Sequence, residues 1–252
     1  MAFNHKHLIN ISEYSADDIM LVLETAVKFR EVNERKIKKV PTLKGFTVVN
    51  MFNEPSTRTR SSFELAEKRL SCDSLNFGGS STSVVKGESL VDTIETLVSY
   101  KIDMIIVRDK HAGVPRLIAD VSGAHVIDAG DGKHQHPTQA LLDLYSIWEK
   151  KGKLEGLKVG IVGDIGHSRV CGSLIPALKI MGCEVTAIAP PTLLPARPDV
   201  LGADHVTSNF DEALPELDVV YMLRIQRERL EGAPYPSLRE YNQLFGLTKE
   251  RE

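Results

Sequence analysis

The chain has 252 residues, 42% of them hydrophobic and 26% charged, with a formal net charge of −3. That composition fits a globular protein with room for one large or two modest α/β domains. It excludes a basic nucleic-acid surface, and no apolar run approaches the roughly 20 residues of a membrane span. The segment Met1 to Lys6 lacks the apolar core of a signal peptide, so a cytoplasmic location is expected. Cys72, Cys171 and Cys183 are scattered, which predicts reduced thiols with neither a zinc site nor a disulfide framework.

Ser15 begins the first helix, with Asp18 three residues on completing a capping box. Phe46 to Phe52 reads as a strand and Ser62 to Leu70 as a helix. Ser71 to Glu88 is rich in Ser and Gly and reads as a loop. Leu90 to Tyr100 is expected to be helical, Asp103 to Arg108 a short buried strand, Val114 to Val121 a helix and Ala124 to Ala129 a strand. His136 to Lys151 reads as a long bridging helix. Lys150 to Gly156 is the expected boundary, giving domains 1–150 and 151–252. Beyond it, strands over Leu157–Val162, Glu184–Ala189, Ala203–Thr207 and Val219–Leu223 alternate with helices over Ser168–Met181, Asp211–Leu217 and Pro236–Phe245. Such alternation implies parallel sheets with helices on both faces. The expected fold is α/β, two doubly wound parallel-sheet domains joined by a long helix.

The chemistry-bearing residues cluster after strands, where open α/β sheets bind ligands. Ser56-Thr57-Arg58-Thr59-Arg60 packs three hydroxyls and two guanidinium groups between a strand and a helix. Free N–H groups, the helix dipole and arginine forks make such a place an anion site. Arg108 ends a strand, and His136 and Gln139 open the bridging helix. Pro137 between them sits in a first turn, where its missing N–H costs nothing. His136 reads either as an oxyanion donor or acid–base group, or as a capping histidine. Arg169, Arg224 and Gln226 follow strands of the second half. A cleft lined with arginine from both halves suits a substrate carrying several negative charges.

Two further signals are weaker. Gly160, Gly163 and Gly166 have the spacing G-x-x-G-x-x-G, and no acidic residue ends the next strand, which argues against a dinucleotide site. Lys86-Gly87-Glu88-Ser89 follows Ser80-Ser81-Thr82-Ser83. It is either a solvated surface segment or a mobile anion-binding loop. No His/Asp/Glu cluster has metal-ligand spacing.

Taken together, these residues resemble the aspartate carbamoyltransferases. The likeness rests on Phe52-Asn53-Glu54-Pro55-Ser56-Thr57-Arg58-Thr59-Arg60, Lys86-Gly87-Glu88-Ser89 and His136-Pro137-Thr138-Gln139-Ala140-Leu141-Leu142-Asp143. Val162-Gly163-Asp164 with Arg169, and Tyr221-Met222-Leu223-Arg224-Ile225-Gln226, complete it. The resemblance implies transfer of a carbamoyl group from carbamoyl phosphate to L-aspartate, an early step of pyrimidine synthesis. It implies that Ser56, Thr57, Arg58 and Thr59 hold the phosphate. Arg108, His136 and Thr59 would polarise the carbamoyl oxygen, and Gln139 would orient the carbamoyl amide. Arg169, Arg224 and Gln226 would bind aspartate. Ser83 and Lys86 would reach a neighbouring subunit's site, which implies a homotrimer. A regulatory subunit or a dihydroorotase is a further partner the resemblance brings in. No metal, cofactor or covalent intermediate is needed.

The family's ornithine-specific branch shares the phosphate motif and the His-Pro-x-Gln. Aspartate carries an extra carboxylate, and Arg224 with Gln226 matches it on one strand face. An ornithine site should instead offer an acid for the ammonium group. By comparison with the family, this sequence stops several tens of residues early, at Thr248 to Glu252, before a His-Pro-x-Pro loop and a final helix. The alternative reading is therefore a chain that binds carbamoyl phosphate, or assembles with full-length subunits, with weak turnover or none. A second departure is Asp109-Lys110-His111 after Arg108, where the family often has histidine next. The sequence supplies no functional account of it.

Overall fold

The computed structural model describes residues 3–78, 89–225 and 237–251. The chain divides into two compact units, Met1–Gln139 and Ala140–Glu252.

Unit 1 opens with helix α1 (Ala16–Glu34). Ser15 caps it and Asp18 returns the bond, the reciprocal pair the sequence predicts. There follow β1 (Thr47–Phe52), α2 (Thr57–Leu70), β2 (Asp73–Phe77), α3 (Leu90–Ser99), β3 (Met104–Asp109), α4 (Val114–Ser122) and β4 (His125–Asp131). The strands form one sheet in the order β2-β1-β3-β4, and every pairing is parallel. Side chains alternate across a strand, so β1 serves two cores. Val49 and Met51 pack with Ile94 and Leu97 of α3 and Ile118 of α4. Val48 and Phe52 face the other way, with Ile106 and Phe63 of α2. Burying each such side chain contributes about 1.5–3 kcal/mol, and burial on both faces is what a sheet covered by helices on each side requires.

Two expectations change here. The predicted loop over Ser71 to Glu88 contains a strand, β2, which pairs with β1 from Thr47↔Asp73 to Met51↔Phe77. It is an edge strand, and Asp73, Leu75 and Asn76 are exposed, so its sequence carries no apolar run. A Cβ at Gly78 would lie 2.1 Å from the Phe52 carbonyl oxygen, so only glycine lets the chain leave β2 past the end of β1. Residues 79–88, including Ser83 and Lys86, lie outside the described residues. Helix α2 starts at Thr57 rather than Ser62, so the Thr-Arg-Thr-Arg run is its first turn.

Helix α5 (Pro137–Lys151) has its first residues in unit 1 and the remainder in unit 2. Unit 2 continues with β5 (Lys158–Val162), α6 (Arg169–Ile180), β6 (Glu184–Ile188), β7 (His205–Thr207), α7 (Phe210–Ala213), β8 (Val219–Met222) and α8 (Leu238–Phe245). Its sheet is again wholly parallel, in the order β7-β6-β5-β8. Val162, Ile188, Phe210 and Phe245 form one core cluster. The single helix expected over Asp211–Leu217 is split into α7 and a 3-10 turn at Leu214–Glu216. Pro215 removes an N–H donor there. Among the described residues no helix is long and apolar enough to cross a membrane.

Candidate active site

In unit 1 the chain runs from β1 out to β2, then returns to lay β3 on the other side of β1. The carboxyl ends of β1 and β3 therefore flank the point where strand order reverses, which is where such sheets take ligands. The first turn of α2 starts there. Ser56 is its N-cap, in an extended conformation with no side-chain capping bond, and no acid occupies the first turn. The helix thus presents N–H groups and a hydroxyl that its own cap does not use. Thr57 and Arg58 are exposed and Thr59 is half-buried. Arg60 turns along the helix instead, with Nε donating to Glu64 Oε1 at 2.9 Å.

Arg108 arrives from β3. Its Nη1 donates to Thr59 Oγ1 at 3.5 Å and to the Ala129 carbonyl oxygen at 3.2 Å. Its Nη2 donates to Glu54 Oε1 at 3.4 Å. These are long contacts of a side chain only 14% exposed, and they hold the guanidinium near Thr59. His136 is 7% exposed, and its Nδ1 lies 3.3 Å from Thr138 Oγ1. Its carbonyl oxygen accepts from the Gln139 N–H at 3.0 Å. The loop that delivers it is built on buried Asp131. One carboxylate oxygen accepts from the Gln135 N–H at 2.7 Å and the other from the Gly113 N–H at 2.9 Å.

In unit 2 the order reverses between β5 and β8. The turn after β5 begins at Gly163, whose φ of +127° favours glycine and whose Cβ would meet Leu223 at 3.0 Å. Asp164 follows, fully buried, with its Oδ1 2.7 Å from His167 Nδ1. Arg169, 4% exposed, is the first residue of α6. Arg224 leaves the end of neighbouring β8 and is exposed. Tyr221 on β8 donates to Asp143 Oδ2 at 2.9 Å. Burial, and then the Asp143 carboxylate, push its phenol well above the usual range. Gln226 lies outside the described residues. Among the described residues no group of three or more His, Cys, Asp or Glu side chains could hold a metal ion.

The structure therefore joins Thr59 to Arg108 directly, sets Ser56, Thr57 and Arg58 on the same helix start, and places His136 and Gln139 after β4. Arg169 and Arg224 follow adjacent strands of the other unit. Sequence reasoning assigned no role to Glu54, which contacts Arg108, or to Asp164, which orients His167. It also missed Glu67, which is 4% exposed and accepts from Asn50 Nδ2 at 2.9 Å. A signal was present: Asn50 is a lone amide inside the apolar strand β1, and a buried amide needs a partner.

The comparisons agree with this geometry. Residues 6–149 match the model for the carbamoyl-P binding domain of aspartate/ornithine carbamoyltransferase. Residues 155–251 match that for the Asp/Orn binding domain. The aspartate carbamoyltransferase catalytic subunit of Syntrophotalea carbinolica is 52% identical over 251 residues, covering 100% of this chain and 80% of the relative. That of Pelotomaculum thermopropionicum is 51% identical over 246 residues, covering 98% of this chain and 79% of the relative. Aspartate transcarbamoylase from Trypanosoma cruzi in complex with carbamoyl phosphate superposes with a TM-score of 0.86 at 28% identity, over 99% of this chain and 81% of that one. The catalytic subunit from M. jannaschii gives 0.81 at 36% identity, over 95% and 79%. With both halves matched, and with an anion-ready helix start at the switch point of the first sheet, the chain belongs to the aspartate/ornithine carbamoyltransferase family.

Proposed function

We infer that this chain is an aspartate carbamoyltransferase, moving the carbamoyl group of carbamoyl phosphate to the amino group of L-aspartate. The product, N-carbamoyl-L-aspartate, is a pyrimidine precursor. The observation that carries this reading is the junction of Thr59 and Arg108 at the first turn of α2. It gathers an anion cradle and a cation at one place, in a chain that resembles catalytic subunits along its described length.

In this reading Ser56, Thr57, Arg58 and Thr59 bind the phosphate. Arg108, His136 and Thr59 donate toward the carbamoyl oxygen, and Gln139 orients the carbamoyl amide. The amine must attack as a neutral nucleophile. As its nitrogen bonds to the carbamoyl carbon, negative charge grows on the carbonyl oxygen. Phosphate then leaves with the electron pair of the broken C–O bond and takes up the proton that the nitrogen gives up. Donors set in place beforehand stabilise the developing charge without reorganising. Arg58, Thr59, Arg108 and His136 are the catalytic residues of this scheme. Fixing both anionic substrates by cationic groups lowers the entropy cost of their encounter.

Arg169, Arg224 and Gln226 are assigned to aspartate. Two arginines near the ends of adjacent strands suit a dicarboxylate, and ornithine would call for an acid. Ser83 and Lys86 are assigned to a neighbouring subunit's site in a homotrimer in the cytoplasm. A regulatory subunit or a dihydroorotase is a further candidate partner. A domain division at 150–151 is supported by the family matches, which end at 149 and resume at 155. The test is to incubate the purified chain with carbamoyl phosphate and either aspartate or ornithine and identify the carbamoylated amino acid. Carbamoyl-aspartate is expected, and product from ornithine alone would overturn the assignment.

A further inference from the structure

Asp109 follows Arg108 on β3 and is 5% exposed. Its Oδ2 accepts from Asn53 Nδ2 at 2.8 Å. Its Oδ1 accepts from the His111 N–H at 2.8 Å and lies 3.0 Å from His111 Nδ1. The Asn53 N–H donates to the Arg108 carbonyl oxygen at 2.9 Å, and the Gly132 N–H donates to the Asp109 carbonyl oxygen at 2.9 Å. The segments that follow β1, β3 and β4 are thus tied at one residue. The first leads through Glu54 to Ser56 and α2. The third leads to His136.

We propose that Asp109 is a positioning residue for the carbamoyl phosphate site, acting through Asn53 on the turn that enters α2. This rests on the carbamoyl-transfer reading. A buried carboxylate that accepts several N–H bonds is a rigid anchor, because each bond is charge-assisted and poorly screened. Asn53 is exposed, so its side-chain bond to Asp109 joins its backbone bond to Arg108 and the Glu54–Arg108 contact in aiming the turn. Ser56, which makes no capping bond, depends on that aim for the direction of its hydroxyl. The His111 ring, with its side chain 69% exposed, adds little to the anchor.

The test uses Asn53→Ala, Asp109→Asn, the double variant and His111→Ala. Asn53→Ala breaks the tether from its exposed end without opening the core. Steady-state kinetics vary each substrate in turn, and calorimetry titrates inorganic phosphate into each protein. The expected result for the two single variants is a rise of about tenfold in the KM for carbamoyl phosphate and in the Kd for phosphate. The KM for aspartate stays within about twofold, since no group assigned to aspartate takes part in these bonds. The double variant should match the worse single one, and His111→Ala should match the parent. Unchanged phosphate binding in Asn53→Ala, equal rises in both KM values, or a loss confined to kcat would overturn the proposal. A parent chain that binds phosphate yet turns over neither amino acid would sink the transfer reading, leaving the phosphate titrations to decide this one.

Discussion

Asn50 on β1 and Glu67 on α2 are joined by a hydrogen bond of 2.9 Å between residues that are 1% and 4% exposed. This bond fixes α2 to the central strand of unit 1. Losing one partner leaves the other buried without its bond, which costs about 1–3 kcal/mol. Glu67→Ala is therefore expected to lower the urea midpoint of the far-UV circular dichroism transition by that equivalent. Asn50→Leu combined with Glu67→Met should recover most of it, because apolar replacement of both partners removes the desolvation penalty. A double variant as unstable as the sum of its singles would contradict this.

Arg108 reaches Thr59, Glu54 and the Ala129 carbonyl with a fork that lysine lacks. Arg108→Ala should lower kcat by about 10²–10³-fold, the usual loss for one donor to a developing oxyanion. Arg108→Lys keeps the charge but offers one nitrogen in place of two, so it should recover only part of that loss. The measurement is kcat at saturating carbamoyl phosphate and aspartate. Full activity in Arg108→Lys would mean that charge alone suffices.

Arg224 is exposed at the end of β8, so removing its side chain leaves no core cavity. Arg224→Ala should raise the KM for aspartate about 10- to 100-fold, the range for a lost charge-assisted bond. The Kd for carbamoyl phosphate should stay where it was. Arg169 is a poorer probe, because at 4% exposure its removal would also disturb unit 2. An Arg224→Ala chain with normal aspartate saturation would remove Arg224 from the site.

The sequence made most of this architecture legible, because buried parallel strands are written as short apolar runs and helices as 3.6-residue periodicity. β1, β3 and β5 announce themselves this way. β2 does not, since it lies at the sheet edge among the described residues and its Asp73, Leu75 and Asn76 are exposed. The candidate anion site stood out as a motif because hydroxyls and arginines at a helix start have a specific chemistry. The supports behind it did not. Glu67 lies within Glu64-Leu65-Ala66-Glu67-Lys68-Arg69, a charged run that reads as solvated, and only the fold turns it against Asn50. Asp109 read as an unexplained departure because its partner Asn53 is 56 residues away and adjacent only once β1 and β3 pair.

The buried thiols of unit 2 are expected to lower its stability as pH rises above about 9, ahead of the Tyr221 phenol, whose ordinary range lies higher. Burial pushes the Cys171 thiol up to about 12, against a smaller opposing effect of its bond with Ser168. Burial likewise pushes Cys183 up to about 11, with nearby Lys179 opposing. In the unfolded chain both thiols ionise near pH 9, about their ordinary value. Between pH 9 and the raised values the unfolded state holds fewer protons than the folded one, so stability falls as pH rises. The contribution is fully present below pH 9 and lost through about pH 11 and about pH 12. At pH 10 each thiol should cost about 1.4 kcal/mol relative to pH 8. Trp148 is the chain's one tryptophan and lies in unit 2, so its fluorescence follows this unit in urea. The urea midpoint should be flat from pH 7 to pH 8.5 and decline above pH 9. Cys171→Ala should reduce the slope of that decline, while iodoacetamide at pH 8 should leave Cys171 unmodified until the unit unfolds. A midpoint that holds or rises between pH 9 and pH 10, or rapid alkylation of native Cys171, would show that the thiol is not shielded as described.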